Sequence, residues 1–221
     1  MKKILLLIGL LIIPMLCTAT EPYPDQVTVS SNKKITVRLT TSRKSDIAMT
    51  IENSSGEKIK EFTDEEILPV DDVGKYNLTT AGSDWYQNSI SFITKNGAFF
   101  VVRTRWERII IIDLASNNLL QDIPSEAKDE IQNTIIQKAL SLLTSPEPEN
   151  RQTGAIACGQ LQIKKAVPEL RHLLGDENYL TTNIPKEWTR VYYVRKSAKE
   201  ALEKLGETVN GIIIEEPDKD L

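Results

Sequence analysis

Apolar and polar residues alternate with a period of two through the first half of the chain. Val27-Thr-Val29, Ile35-Thr-Val-Arg-Leu39 and Ile47-Ala-Met-Thr-Ile51 each put apolar groups on one face and polar groups on the other, as half-buried strands do. They read as antiparallel neighbours. Asn32-Lys33 makes a short turn between the first two, and Asn53-Ser-Ser-Gly56 supplies φ > 0 residues for a hairpin into Lys58-Ile-Lys-Glu-Phe62. Asp64 to Gly74 is acidic, contains Pro69, and reads as a loop. A second β group starts at Ser89-Ile-Ser-Phe-Ile93 and returns through Lys95-Asn-Gly97 into Phe99-Phe-Val-Val-Arg103, where Asn-Gly predicts a type I′ turn. Trp106-Glu107 turns the chain into Arg108-Ile-Ile-Ile-Ile-Asp113, whose unbroken apolar run predicts a strand covered on both faces, and Asn117-Asn118 closes it.

After Pro124 the period becomes 3.6. Ser125 is the expected N-cap of a helix with Ile131, Ile135, Ala139, Leu142 and Leu143 on one stripe, stopped by Ser145-Pro146-Glu-Pro148. A second helix from Asn150 gathers Gly154, Ala157, Cys158 and Leu161 on one side, small enough for close approach to a neighbour. A third turns Val167, Leu170 and Leu174 inward, with Pro168 in its first turn and Gly175 as its C-cap. The fourth carries Val194, Ala198, Ala201, Leu202 and Leu205 and ends at Gly206.

Two of these helices repeat each other. Arg151-Gln-Thr-Gly-Ala-Ile-Ala-Cys-Gly-Gln-Leu161 and Arg195-Lys-Ser-Ala-Lys-Glu-Ala-Leu-Glu-Lys-Leu205 align in register 44 residues apart, which predicts stacked helical hairpins. Together with Ala166-Val-Pro-x-Leu-x-x-Leu-Leu-Gly-Asp176, they resemble the HEAT-like repeats found in phycobilisome lyases and in many other proteins. The likeness covers about 80 residues and implies a short α-α superhelix; it is silent on function, because such repeats serve enzymes, adaptors and assembly factors alike. Glu177 to Tyr193 departs from it as an insert. Ser91 to Leu120 resembles a single blade of a β-propeller or a related meander of exported proteins, and implies a three-stranded meander. The expected fold is therefore α+β in two parts: a mostly antiparallel β domain over 20–123, meander or sandwich-like, a HEAT-like helical domain over 124–208, and an acidic tail over 209–221.

Residues 1–19 read as a removable export signal. Lys2 and Lys3 precede the apolar run Ile4 to Leu16, which is too short to span a bilayer, and Cys17-Thr18-Ala19 offers small residues for cleavage. Its brevity favours a bacterial envelope, periplasmic or extracellular. Cys17 keeps open a membrane-anchored lipoprotein, against which stands Leu16 in place of the usual small residue. The leader holds two of the 27 basic residues and none of the 31 acidic ones, so its removal takes the formal net charge from −4 to −6. That balance disfavours nucleic acid as a partner. Cys158 is the one other cysteine, so no internal disulfide is expected after cleavage.

Candidate chemistry is sparse. The single histidine, His172, sits off the apolar side of its helix and is expected in solvent; it leaves too few donors for a nucleophilic triad or a zinc site. Asp64-Glu65-Glu66 and Asp71-Asp72 lack the oxygen spacing of a calcium loop, and no cofactor-binding motif is present. Cys158 lies in the small-residue stripe, where a thiol packs as a small hydrophobe. Arg151 and Arg195 stand at helix starts with Glu149 and Asp176 as expected structural partners. The insert is richer: Tyr179, Trp188, Arg190, Tyr192 and Tyr193 combine rigid aromatics with polar groups, either as a contact surface or with Trp188 and Tyr192 folded back over the end of the stack.

These residues point to an exported, non-enzymatic scaffold that binds another protein along its helical stack and insert. The alternative is an enzyme or lyase-like chaperone for a small ligand, with a cleft between the two parts holding polar groups such as Asp84, Arg103 or Arg105. In a third arrangement the β part carries recognition and the helices cap it. Ile212-Ile-Ile214 offers a strand edge, while Glu215 to Leu221 is expected to be disordered.

Overall fold

The alternating segments become two antiparallel four-stranded meanders in the computed structural model, which describes residues 25–40, 47–67, 86, 88–183 and 188–218. The first sheet runs in the order β1 (Gln26–Val29), β2 (Ile35–Leu39), β3 (Ile47–Asn53), β4 (Lys58–Thr63). One helical turn, Asp64–Ile67, follows where the acidic composition suggested a loop. The second sheet runs β5 (Ile90–Ile93), β6 (Phe99–Arg103), β7 (Ile109–Asp113), β8 (Asn118–Leu120). Strand β8 is one more than the expected three-stranded meander: Asn117 takes a left-handed turn conformation (φ 55°) and sends the chain back along β7.

Four of the hairpins share one turn. Lys33, Gly56, Gly97 and Glu107 each have positive φ and each donate their N–H to the carbonyl three residues earlier. Only Gly97 of the Asn96-Gly97 pair is left-handed, so this is a type I turn followed by a left-handed residue rather than type I′. Asn96 instead uses Oδ1 to accept from Ala98 N–H and Thr94 Oγ1.

The second sheet is the middle layer. Phe100, Val102, Ile110 and Ile112 meet Val37, Leu39, Met49 and Ile51 of the first sheet. The opposite face, with Ile90, Phe92, Val101 and Ile111, packs on helices. Burial on both sides explains why β6 and β7 carry no alternation. One apolar cluster continues from that face through Ile131, Ile135 and Ala139 to Leu170, Ala198 and Leu202.

Four helices form the second half: α1 (Lys128–Leu142), α2 (Pro148–Gln160), α3 (Val167–Leu173) and α4 (Tyr193–Lys204). Ser125 does not cap α1; a single 3-10 turn, Ser125–Ala127, leads into it. Helix α2 packs against both α1 and α4 through its small residues. A Cβ built on Gly154 would lie 2.9 Å from Ala139 O, and one on Gly159 would lie 2.7 Å from Ala201 Cα, so both positions require glycine. Leu173 joins Leu170 on the buried face of α3, with Val167 and Leu174 partly buried against the same core. Gly206 caps α4 in the left-handed conformation (φ 85°), with Glu207 N–H reaching back to Leu202 O. Gly175 has no positive φ and serves no such cap.

Between α3 and α4 the insert forms a hairpin, β9 (Leu180–Asn183) and β10 (Trp188–Val191), and the chain end returns as β11 (Glu215–Pro217) to make a three-stranded antiparallel sheet in the order β11-β10-β9. The tail expected to be disordered is thus paired as far as Asp218, and the added strand lies just beyond Ile212-Ile-Ile214.

Candidate functional site

Alternation along the small sheet sets Thr181, Arg190 and Glu216 abreast. Tyr179, Trp188, Tyr192 and Asp218 extend the same face. The acidic tail is held there by charge-assisted bonds: Arg190 Nη2 to Asp218 Oδ1 at 2.8 Å, Thr181 Oγ1 to Asp218 Oδ2 at 3.3 Å, and Tyr192 Oη to Glu216 Oε1 at 2.5 Å. These bonds are why an acidic segment becomes a strand. The Glu216 bond, followed by partial burial, raises the Tyr192 phenol above its usual pKa.

Rings and guanidiniums alternate next to these bonds. Arg195 Cζ lies 3.9 Å from the centroid of Tyr192, Tyr192 meets Tyr179 edge to face at 5.7 Å, and Arg190 Cζ lies 4.8 Å above Tyr179. Each cation–π contact contributes about 0.5–1 kcal/mol at such partly exposed positions. The row ties the small sheet to α4, which carries Arg195. Tyr192 is buried by it, while Trp188 stays 45% exposed and Tyr179 42% exposed. Leu180, on the opposite face of β9, is 58% exposed.

Asp176 anchors the base of the insert. Its carboxylate accepts from Arg151 Nε at 2.7 Å and from Asn178 N–H and Nδ2, while its backbone carbonyl accepts from Arg195 Nε at 2.5 Å. Burial opposes ionisation, but the bonds from Arg151 and Asn178 outweigh it and hold the carboxyl below its usual range. Arg151 also donates to Ser145 O and Pro146 O. Arg195 takes backbone carbonyls, those of Asp176 and Ile213, in place of a carboxylate. Glu149 accepts from Tyr193 Oη at 3.2 Å; burial first, and then this carboxylate, pushes the Tyr193 phenol up to about 12.

Cys158 is wholly buried among the α2 contacts, and burial, reinforced by Glu169 and offset by Lys165, raises its thiol to about 12. A thiol-specific chromogenic reagent at pH 8 is expected to leave Cys158 of the native protein unlabelled and to label it only in denaturant, as peptide mapping would read. Labelling of the folded protein within minutes would show that the α2 seam opens far more readily than its packing implies.

His172 is exposed and lines a groove of about 720 Å3 at the ends of α1 and α3, together with Leu143, Arg151, Glu169 and Asp176. At the seam between sheets and helices, Arg103 is 4% exposed, donates to Gln160 Oε1 at 3.0 Å, and has its pKa lowered by burial, with Glu107 opposing. Gln160 in turn donates to Arg105 O, and the Arg105 guanidinium lies over Trp106. Asp84, Asp71, Asp72 and the leader with Cys17 lie outside the described residues. Among the described residues no three His, Cys, Asp or Glu side chains are grouped to hold a metal, and no helix is long and apolar enough to cross a membrane.

Glu216 and Asp218 were not singled out by sequence, because net acidity alone suggests a solvated tail. Their spacing of two, with Arg190 and Tyr192 likewise two apart, was the available signal. No protein-family model, no curated protein and no solved structure matches the chain.

Proposed function

We propose that the chain is an exported, non-enzymatic binding protein in which a short HEAT-like helical stack carries the three-stranded insert sheet as its recognition element for another protein. The observation carrying this is the exposure of Tyr179 and Trp188 on the face of a small sheet where Thr181, Arg190, Tyr192, Glu216 and Asp218 are engaged with one another. Large aromatics flanking an arginine on a braced support are the composition of an interface centre, where a few such residues supply most of the affinity. The support is pre-organised, because the row from Arg195 to Arg190 fixes the Tyr192 and Tyr179 rings before a partner arrives.

The enzyme reading looks for uncommitted polar groups converging at the seam between sheets and helices. There Arg103, Gln160 and Arg105 O are engaged with one another, which favours a packing role. The in-register repeat and the placement of α2 between α1 and α4 support the HEAT-like stack.

Trp188→Ala is the discriminating variant. It is expected to weaken capture of the cognate protein by about 2 kcal/mol, some thirtyfold, while unfolding stability changes by no more than about 0.5 kcal/mol, as for a surface substitution. Leu180→Ser, on the other face, is expected to change neither. A large drop in melting temperature for Trp188→Ala with capture intact would make the tryptophan a structural cover and defeat the proposal.

A further inference from the structure

Helix α1 and the nearby edge of the second sheet border a second, open region with different chemistry. One hollow of about 480 Å3 is lined by Lys95, Asn133, Thr134, Gln137, Lys138 and Ser141. A second of about 300 Å3 shares Lys138 and Ser141 with it and continues past Ser89 and Ser91 toward β1. The two adjoin at Lys138 and Ser141 as one open, shallow channel along α1, where Thr134, Gln137, Lys138 and Ser141 fall on one stripe of the helix.

The lining holds two ammonium groups and no carboxylate, in a chain where acids outnumber bases. Glu130 stands beside the Lys95 end with its carboxylate accepting from the Lys95 backbone N–H at 2.7 Å, so it offsets part of the positive charge there and leaves Lys138 as the uncompensated cation among the described lining residues. No side-chain hydrogen bond or ion pair engages Lys95, Asn133, Thr134, Gln137 or Lys138 among the described residues. That contrasts with the Arg103 seam, where each polar group meets another. Amides and hydroxyls both donate and accept, matching ring hydroxyls, while the two lysines match anionic substituents. No aromatic side chain lines either hollow, so a flat apolar ligand has no platform there.

We propose that this channel binds an acidic oligosaccharide, its carboxylates on Lys95 and Lys138 and its hydroxyls on Asn133, Thr134 and Gln137. The site lies apart from the insert sheet and does not depend on the protein-binding role of Trp188.

Calorimetric titration of the purified protein with tetragalacturonate tests it. Saturable binding is expected, weakened at least tenfold by Lys95→Glu with Lys138→Glu, severalfold by Gln137→Ala, and by added salt. All three positions are exposed, so the variants keep the parent melting temperature, and Trp188→Ala leaves the affinity unchanged. Four results overturn the proposal: no saturable binding of tetragalacturonate, equal binding of the neutral methyl ester, indifference to the lysine reversals, or tetrapolyphosphate binding as tightly with no effect of Gln137→Ala. The last would reduce the channel to charge attraction without sugar recognition.

Discussion

Asp176→Ala is expected to lower the unfolding free energy by about 3 kcal/mol, because it strips the partner from a largely buried guanidinium. Arg151 would keep its bonds to Ser145 O and Pro146 O, but its Nε would lose the 2.7 Å carboxylate contact. The turn at Asn178 would lose two bonds at the same time, and with it the fixed start of β9. For a protein of this size the change corresponds to roughly 6–12 °C in melting temperature by calorimetry. The carboxyl has a lower pKa folded than unfolded. Its contribution is therefore complete above the unfolded value of about 4 and fades as the pH falls through the lower folded value. Asp176→Asn is accordingly expected to lose stability at neutral pH and to show a shallower decline in acid than the parent. An identical acid limb in parent and variant would mean that Asp176 carries no linked proton.

Gly159→Ala is expected to destabilise by about 1–2 kcal/mol, although alanine is worth about 1 kcal/mol more than glycine inside an isolated helix. The new methyl would lie 2.7 Å from Ala201 Cα and 2.9 Å from Ala201 Cβ. Backbone cannot swing aside as a flexible side chain does, so α2 and α4 would have to separate, at an overpacking cost of about 1–3 kcal/mol or more. Ala201→Gly removes only the Cβ and is expected to rescue incompletely. Gly175→Ala is the control, since its Cβ would sit 3.6 Å from His172 O at an ordinary φ, and it is expected to be neutral or stabilising by up to about 1 kcal/mol. Chemical denaturation reads both; equal stability of Gly159→Ala and parent would deny close approach of the two helices.

The strands were legible wherever a single rule governs them. The period-two runs at Ile35–Leu39 and Ile47–Asn53 and the apolar runs at Phe99–Arg103 and Ile109–Asp113 follow from burial on one face or on two. Helix stripes were legible for the same reason, as with Ile131, Ile135 and Ala139. Local detail was less so, because partners distant in sequence decide it: Ser125 leads a 3-10 turn rather than capping, and Leu173 is buried more deeply than the Leu174 that the spacing picked out. At the candidate site, composition flagged Tyr179, Trp188, Arg190, Tyr192 and Tyr193 but not their division of labour. Tyr192 and Tyr193 brace, through Glu216 and Glu149, and only Tyr179 and Trp188 remain open. That division depends on the tail returning as β11, a pairing across 24 residues with no local signature.

Site-specific photo-crosslinking in the cells that make the protein tests its central claim most directly. A photoreactive side chain at position 188 is expected to give one discrete adduct with a second protein, with none from positions 27 and 59, which are comparably exposed on the first sheet. Adducts of equal yield from all three positions, or none from position 188 with the folded protein confirmed, would contradict the assignment of the insert sheet as the recognition element.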